Sequence, residues 1–374
     1  MKMLGGLLAF AVALIPTSMF ATSLPKGYVV GWGHNYRGVV TGVPSPSDEV
    51  TGVIRMGVVA IDGQELSNAV AIAAADDHCL ALRSDGTVVV WGRNEHGQTS
   101  VPDGLSNVVR IATEGAYNVA IKSDGTGISW GLDQPVEVND LTNVIAASYY
   151  VALRTDGRLV SRGKAYYQNI QTFVPAGLSN VVDFALKGDG LALKRDGTVA
   201  EWTPSGQIPI EWHPTERTNG RVIRYEIRAA DYKVIDGLSN AIAIAACGSH
   251  NFAIKSDGTV FGWGFNEFGD ATGVVETNFP LTWGDYVLEG WSSQGLVRID
   301  GQVLSNVVSV ASGSHMNLAL KNYGTMVRWG GSPRDGLDVP TGLSNVVAIA
   351  VGKIDGFCLA ITTNRAVAEK FRQK

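Results

Sequence analysis

Three carboxylates stand where they could meet. Asp77, Glu114 and Asp189 each follow an apolar stretch at a similar point of a recurring pattern, and acids gathered around one centre could hydrolyse a glycosidic or peptide bond. Histidine offers a second chemistry. His78, His250 and His315 fall at one place in their units, and imidazoles that converge can hold a metal ion. Recurrence at equivalent places of separate units points instead to a repeated strand-start role. The remaining His34, His96 and His213 show no ligand spacing. Asp-Gly recurs at Asp85, Asp124, Asp156, Asp196 and Asp257 without the spaced acids and terminal Glu of a calcium loop. Gly31-Trp32-Gly33 and Gly262-Trp263-Gly264 echo a phosphate loop but lack its third glycine. The sequence contains no Gly-x-Ser-x-Gly and no His-Glu-x-x-His. Cys79, Cys247 and Cys358 sit in slots that suit small buried residues. No metal and no cofactor is expected, and the chain reads as a binding protein. An extracellular enzyme acting on glycan or peptide through converging acids is the alternative.

A seven-fold repeat must position these residues. Leu-Ser-Asn or Leu-Thr-Asn begins units at Leu66, Leu105, Leu141, Leu178, Leu238, Leu304 and Leu343, spaced by 39, 36, 37, 60, 66 and 39 residues. Each unit runs from an apolar stretch ending in small residues, through a short loop, to two strands joined by a turn, the second ending in Trp-Gly. The turn is Asp-Gly in five units, Tyr323-Gly324 in the sixth and Asn364-Arg365 in the seventh. Asp-Gly between alternating strands predicts a type I′ hairpin, with positive φ at both residues.

A meander of three or four strands cannot bury both faces alone. Units at this period stack around an axis as an all-β propeller of seven blades. Ala73-Ala74, Ala146-Ala147 and Ala245-Ala246 suit crowded inner strands, and Trp91, Trp130, Trp202, Trp263 and Trp329 suit the wider gaps further out. Residues 27–35 read as a last strand without its first two, while the final unit lacks its Trp-Gly. The N-terminal strand is therefore expected to complete the last blade and close the ring. The other arrangement makes residues 366–370 a strand of their own.

Units such as Leu238 to Gly264 resemble repeats of the regulator of chromosome condensation (RCC1) family, and the resemblance extends from Tyr28 to Lys374. It implies a seven-bladed propeller. Its shorter units, and linkers such as Trp91 to Pro102, resemble still more the secreted bacterial propellers of this superfamily that inhibit β-lactamase through loops on one face. Guanine-nucleotide exchange is a further activity of such folds, but no motif for it is identifiable here. The third unit departs from the pattern with Arg162-Gly163, and long inserts span about residues 38–62, 203–236 and 270–302.

Charge and composition narrow the partner. A net charge of -5 disfavours nucleic acid. Met1 to Lys2, the apolar run Leu4 to Ile15 and the small residues up to Ser23 form a secretory signal pattern. The run is shorter than the ~20 residues a membrane span needs. The chain is thus expected to be exported to the periplasm, cell surface or medium, with residues 24–374 as one monomeric propeller. Short loops and segments after Trp-Gly share one face by strand direction. That face would carry Asp77, Glu114, Tyr117, Tyr149 and Tyr150, joined by Tyr36, Asn94, His96, Phe265 and Phe268. Trp212, Trp283 and Trp291 lie in the two longest inserts. Aromatic residues with acidic neighbours suit a protein partner, or a glycan.

Overall fold

Each Leu-Ser-Asn unit forms an antiparallel meander in the computed structural model, which describes residues 25–44, 54–131, 143–148, 151–161, 174–187, 189–202, 214–218, 221–225, 232–247, 249–266, 268–275, 292–331, 337–352 and 356–372. The first unit supplies Ala69–Ala74, His78–Arg83 and Val88–Gly92, paired in that order. The same three-strand plan recurs from the second unit (Val108–Glu114, Tyr117–Lys122, Gly127–Trp130) to the sixth (Val307–Ser312, Met316–Lys321, Met326–Gly330). The seventh contributes only Val346–Val351 and Phe357–Thr362. Its third place is taken by Tyr28–His34, which pairs antiparallel with Phe357–Thr362 and sets Trp32 opposite Cys358. Residues Arg365–Glu369 form a short helix, not a strand, because the Asn364 side chain caps the backbone N–H of Val367.

The inserts begin or end as sheet. Ile54–Val58 lies beside Tyr28–His34, Ser292–Leu296 beside Val260–Phe265, and Lys233–Val234 beside Val199–Trp202. Fourth strands therefore arise from stretches that looked like loops in sequence. Neighbouring units touch in order, and the inner strand of the seventh touches that of the first. One buried cluster joins Trp32, Trp91, Leu318, Ile349 and Leu359 from the N-terminal strand and from the first, sixth and seventh units.

The hairpins correct the sequence reading. Gly86, Gly125, Gly157, Gly197 and Gly258 have φ near +80°, whereas the preceding aspartates do not have positive φ. Gly86 donates to the carbonyl of Arg83, and Arg83 N donates to Thr87 O. This is a type I turn followed by a left-handed glycine, a bulged three-residue loop in place of type I′. The aspartate supports this turn, which Tyr323-Gly324 also adopts. Asp85 Oδ1 accepts from the backbone N–H and hydroxyl of Thr87, which holds Asp85 in a local turn of its own.

Asparagine of the Leu-Ser-Asn motif has a related duty. Asn107, Asn143, Asn180, Asn240, Asn306 and Asn345 all take left-handed φ, which asparagine tolerates better than most residues. Asn107 O accepts from Ser123 in its own unit, while the next residue, Val108, donates to Gly86 O in the unit before. Turn and motif thus form a backbone seam between consecutive units.

Candidate functional site

The opposite side of each sheet carries the variable residues. First and third strands of a meander run parallel, so the short loop and the segment after Trp-Gly emerge together. Backbone bonds join them: Arg93 N donates to Asp77 O, and Phe265 N to Ser249 O. Three of these segments follow one plan. Asn35 Oδ1 accepts from Val40 and Thr41, Asn266 Oδ1 from Ala271 and Thr272, and Asn94 Oδ1 from Thr99. The loop so formed offers the carbonyl of its fifth residue to the next unit's tryptophan. Trp91 Nε1 donates to Val39 O at 2.9 Å, Trp130 to Gln98 O at 3.0 Å and Trp329 to Asp270 O at 3.1 Å. The recurrent Trp therefore fills the gap and also latches one unit to its neighbour. Asn94 spends its carboxamide oxygen on this loop.

Around the first unit the candidates meet in an ionic chain. Arg37 pairs with Glu95 at 3.0 Å, Glu95 with Arg93, and Arg93 with Asp77 at 2.9 Å. Burial raises the affinity of Asp77 for its proton, but the polar contact with His78 and the hydrogen bond from Arg93 outweigh it and hold the carboxyl below its usual range. Tyr36 lies beside this chain, its ring under the Arg37 guanidinium. His96 donates its backbone N–H to Gln98 Oε1 in the same loop.

A constellation missed in the sequence links Asp77, His78 and Thr113. His78 Nδ1 is 3.7 Å from Asp77 Oδ1, and its Nε2 is 3.0 Å from Thr113 Oγ1. The order imitates a nucleophile, base and acid. Its hydrogen bonds run the wrong way for that work. Asn118 donates through Nδ2 to Gln98 O, so its Oδ1 accepts from His78 Nε2 at 2.7 Å, and that nitrogen keeps its proton. Thr113 meanwhile gives its hydroxyl proton to Tyr117 O at 2.9 Å. The group is a buried polar brace between two units.

A second brace joins the fifth and sixth units. His250 Nε2 lies 2.8 Å from Asn317 Oδ1, and Asn317 Nδ2 donates to Asp270 O. Cys247 Sγ is 3.2 Å from the ring nitrogens of His250. Burial raises the thiol pKa and lowers that of the imidazole, so both stay neutral and no thiolate forms. The three cysteines are free and buried. His315 does not share the place of His78 and His250. Those two pair with Gly92 and Gly264, whereas Met316 pairs with Gly330. His315, one residue earlier, is 54% exposed and stands 3.6 Å from the buried Asp270 carboxylate. Phe265 and Phe268 flank its ring at 6.3 and 5.8 Å, and Phe268 is itself 48% exposed.

The inner strands of six units, with Ser148 just past that of the third, line one cavity. Its wall comprises residues 72–76, 112–115, 117, 119, 148, 184–187, 245–246, 310–312 and 349–351. Glu114 and Tyr117 belong to it, but Asp77 does not. Its neighbour Asp76 lines the mouth instead, because Arg93 holds Asp77 on the outer side. Deeper between strands sit Arg110 and Asp183. Burial pushes Asp183 up to about 8 despite the N–H of Phe184 and the charge of Arg110, and lowers Arg110 to about 10. Asp183 is thus mostly protonated at neutral pH and Arg110 remains charged. Among the described residues no group of three or more His, Cys, Asp or Glu could hold a metal ion, and no helix is long and apolar enough to cross a membrane. Tyr149, Tyr150, Trp212, Trp283, Trp291 and residues 1–24 lie outside the described residues, as does the side chain of Asp189.

Two stretches, residues 69–98 and 241–270, match the family model of the regulator of chromosome condensation (RCC1) repeat. Protein pim1 of Schizosaccharomyces pombe is 29% identical over 147 residues, which is 37% of this chain and 24% of pim1. The ultraviolet-B receptor UVR8 of Arabidopsis thaliana is 24% identical over 300 residues, 71% of this chain and 56% of the receptor. The chain spans about a quarter and just over half of the lengths of these two relatives. Prp20p of Saccharomyces cerevisiae, described with its binding to Gsp1p and histones, superposes with a TM-score of 0.65 at 18% identity over 95% of both chains. The same yeast RCC1 bound to Kap60 gives 0.64 at 17% identity over 99% and 97%. Human WBSCR16 gives 0.61 at 17% identity over 90% and 98%. At these identities the solved structures speak for the fold alone.

Proposed function

Because the chain is an RCC1-like repeat protein, we propose that it is a single closed propeller of seven blades, spanning residues 24–374, that binds another protein through the side bearing the short loops and the segments after Trp-Gly. The observation that carries this reading is the unequal use of the two sides. Motifs that recur in nearly every unit are consumed in the seam, while the other side presents Tyr36, Tyr117, Phe265, Phe268 and an ionic chain, each in a different setting. Phe268 is exposed and Tyr36, Tyr117 and Phe265 are half-buried, and accessible aromatics with charged neighbours are what protein contacts favour. The signal-like residues 1–23 support export, and inhibition of an extracellular enzyme by a monomer is the specific form we favour. Neither buried His group is poised for catalysis, which supports a scaffold over a hydrolase.

The test is capture of partners by the immobilised mature chain, alongside a β-lactamase inhibition assay. A protein retained by the wild type and by Asp124→Ala, a seam variant, but lost with Tyr117→Ala combined with Phe268→Ala supports this face. Equal retention by the double variant refutes it. The fold likeness to Prp20p keeps a second reading open, nucleotide exchange on a small GTPase. Acceleration of labelled GDP release from such a GTPase would favour that reading over inhibition.

A further inference from the structure

The cavity wall carries main-chain groups that the sheets leave over. Bonded and unbonded pairs alternate along an antiparallel ladder. Ala75 N donates to His78 O, so Ala73 is bonded to Leu80, while Ala74 opposite Cys79 and Ile72 opposite Ala81 are not bonded across the ladder. The same alternation starts from Cys247 N to His250 O, Gly313 N to Met316 O and Gly352 N to Phe357 O, and it frees Ala246, Val310, Ile349 and Val351. In these units the first strand is an end strand of its sheet, and all six residues line the cavity. Their N–H and C=O groups therefore point into it. Among the described residues none of these groups has a hydrogen-bond partner. Equivalent residues show what such groups take when a partner is near. Phe184 gives its N–H to Asp183 Oδ1, and Ser312 O accepts from Lys187 Nζ. Ile72, Val310, Ile349 and Val351 are buried, and a buried backbone group is costly to leave unpaired. The cavity, about 1060 Å³ counted out to solvent, thus suits polar contents although its side chains are mostly aliphatic.

We propose that this cavity is a binding site for a neutral hydroxylated ring, a monosaccharide or cyclitol. Every inward residue offers one donor and one acceptor, and a hydroxyl both donates and accepts. Hydroxyls spread around a ring meet strands on several sides at once, while its C–H faces rest on aliphatic side chains. A carboxylate would serve only the donors, and an ammonium only the acceptors. A ring with a single hydroxyl would leave most of both unmet. The site needs no macromolecular partner, so it stands or falls separately from the scaffold reading.

The test is titration of the full mature chain with glucose, myo-inositol and cyclohexanol, read by calorimetry and by amide NMR shifts. Glucose or myo-inositol is expected to bind one to one, and cyclohexanol at least about tenfold more weakly. The amide signals of Ile72, Ala74, Val310 and Ile349 should move, whereas those of Ala73 and Ala350, bonded within their ladders, should move little. Ala246→Leu, at a half-buried place in the wall, should weaken binding, with Ala311→Leu as the second plug if the first lowers the melting temperature. Maltotriose distinguishes a free ring from the end of a glycan, and supports the site if it moves the same amides. Failure of both glucose and myo-inositol to bind means that water alone serves these groups, and overturns the proposal. So does cyclohexanol binding as tightly as they do, a set of shifts that ignores the alternation, or binding that survives a plug in a chain of unchanged melting temperature.

Discussion

The two sides of the sheets obey different rules. On the turn side, Asp-Gly and Leu-Ser-Asn recur and do one job. Glycine supplies a left-handed residue, asparagine supplies another, and their backbones join each unit to the last. On the loop side, the backbone plan recurs but the side chains do not. Position five of the loop after Trp-Gly is Val39, Gln98 or Asp270, and only its carbonyl has a constant duty. Repetition marks what holds the molecule together; departure from repetition marks where it can differ from its relatives. Residues chosen for chemistry by their recurrence, such as His78 and His250, are accordingly braces.

The largest effect should come from the latch. Trp329→Ala removes a buried ring that packs edge-on to Phe252 and donates to Asp270, and should cost about 3–5 kcal/mol in urea unfolding. A loss under 1 kcal/mol would mean that the latch is not what binds neighbouring units. The buried Asp183 gives the next effect. Its folded pKa of about 8 lies above the ordinary carboxylate value, so the folded chain keeps a proton that the unfolded chain has released. Its contribution is complete below the ordinary carboxylate range and is lost as pH rises through about 8. Asp183→Asn should flatten the fall in melting temperature between about pH 4 and 8, with a difference from wild type on the order of a few kcal/mol at the upper end. Identical pH profiles would show that Asp183 ionises freely.

Gly258→Ala probes the seam. The new methyl would demand a φ of +78° and approach Asn306 N at 3.2 Å, at a cost of about 1–3 kcal/mol. Tyr117→Ala, on the loop side, should change stability by less than about 0.5 kcal/mol while weakening capture of a partner. If it unfolds the chain instead, the contrast between the two sides is wrong.

Much of the architecture was legible because small, aromatic and turn residues recur at one period. The seven starts, the inner alanines and the outer tryptophans follow from size and spacing alone. Sequence spacing misjudged His315 by one position, because the loop before it had to be aligned without knowing the ladder. It also favoured Asp77 over Asp76 at the cavity, since nothing local shows that Arg93, sixteen residues away, holds Asp77 outward. The type I′ expectation failed for a similar reason. Asp-Gly is compatible with both turns, and in the bulged one the aspartate accepts from the backbone N–H two residues on, whether that residue is Thr87 or Arg158. The interunit braces were invisible, because each joins residues 35 to 67 positions apart.

The N-terminal strand has a consequence for how the molecule comes into being. Trp32 donates to Leu337, 305 positions away, and its strand pairs with Phe357–Thr362. A nascent chain must therefore hold this strand in waiting until that distant partner has been made, with an apolar face that a chaperone or a neighbouring chain could seize. Assembly should be slow for a protein of its size, as expected when the decisive contacts are the most distant ones. A circular permutant that fuses the present ends and opens at a loop elsewhere should reach the native state faster without gaining stability.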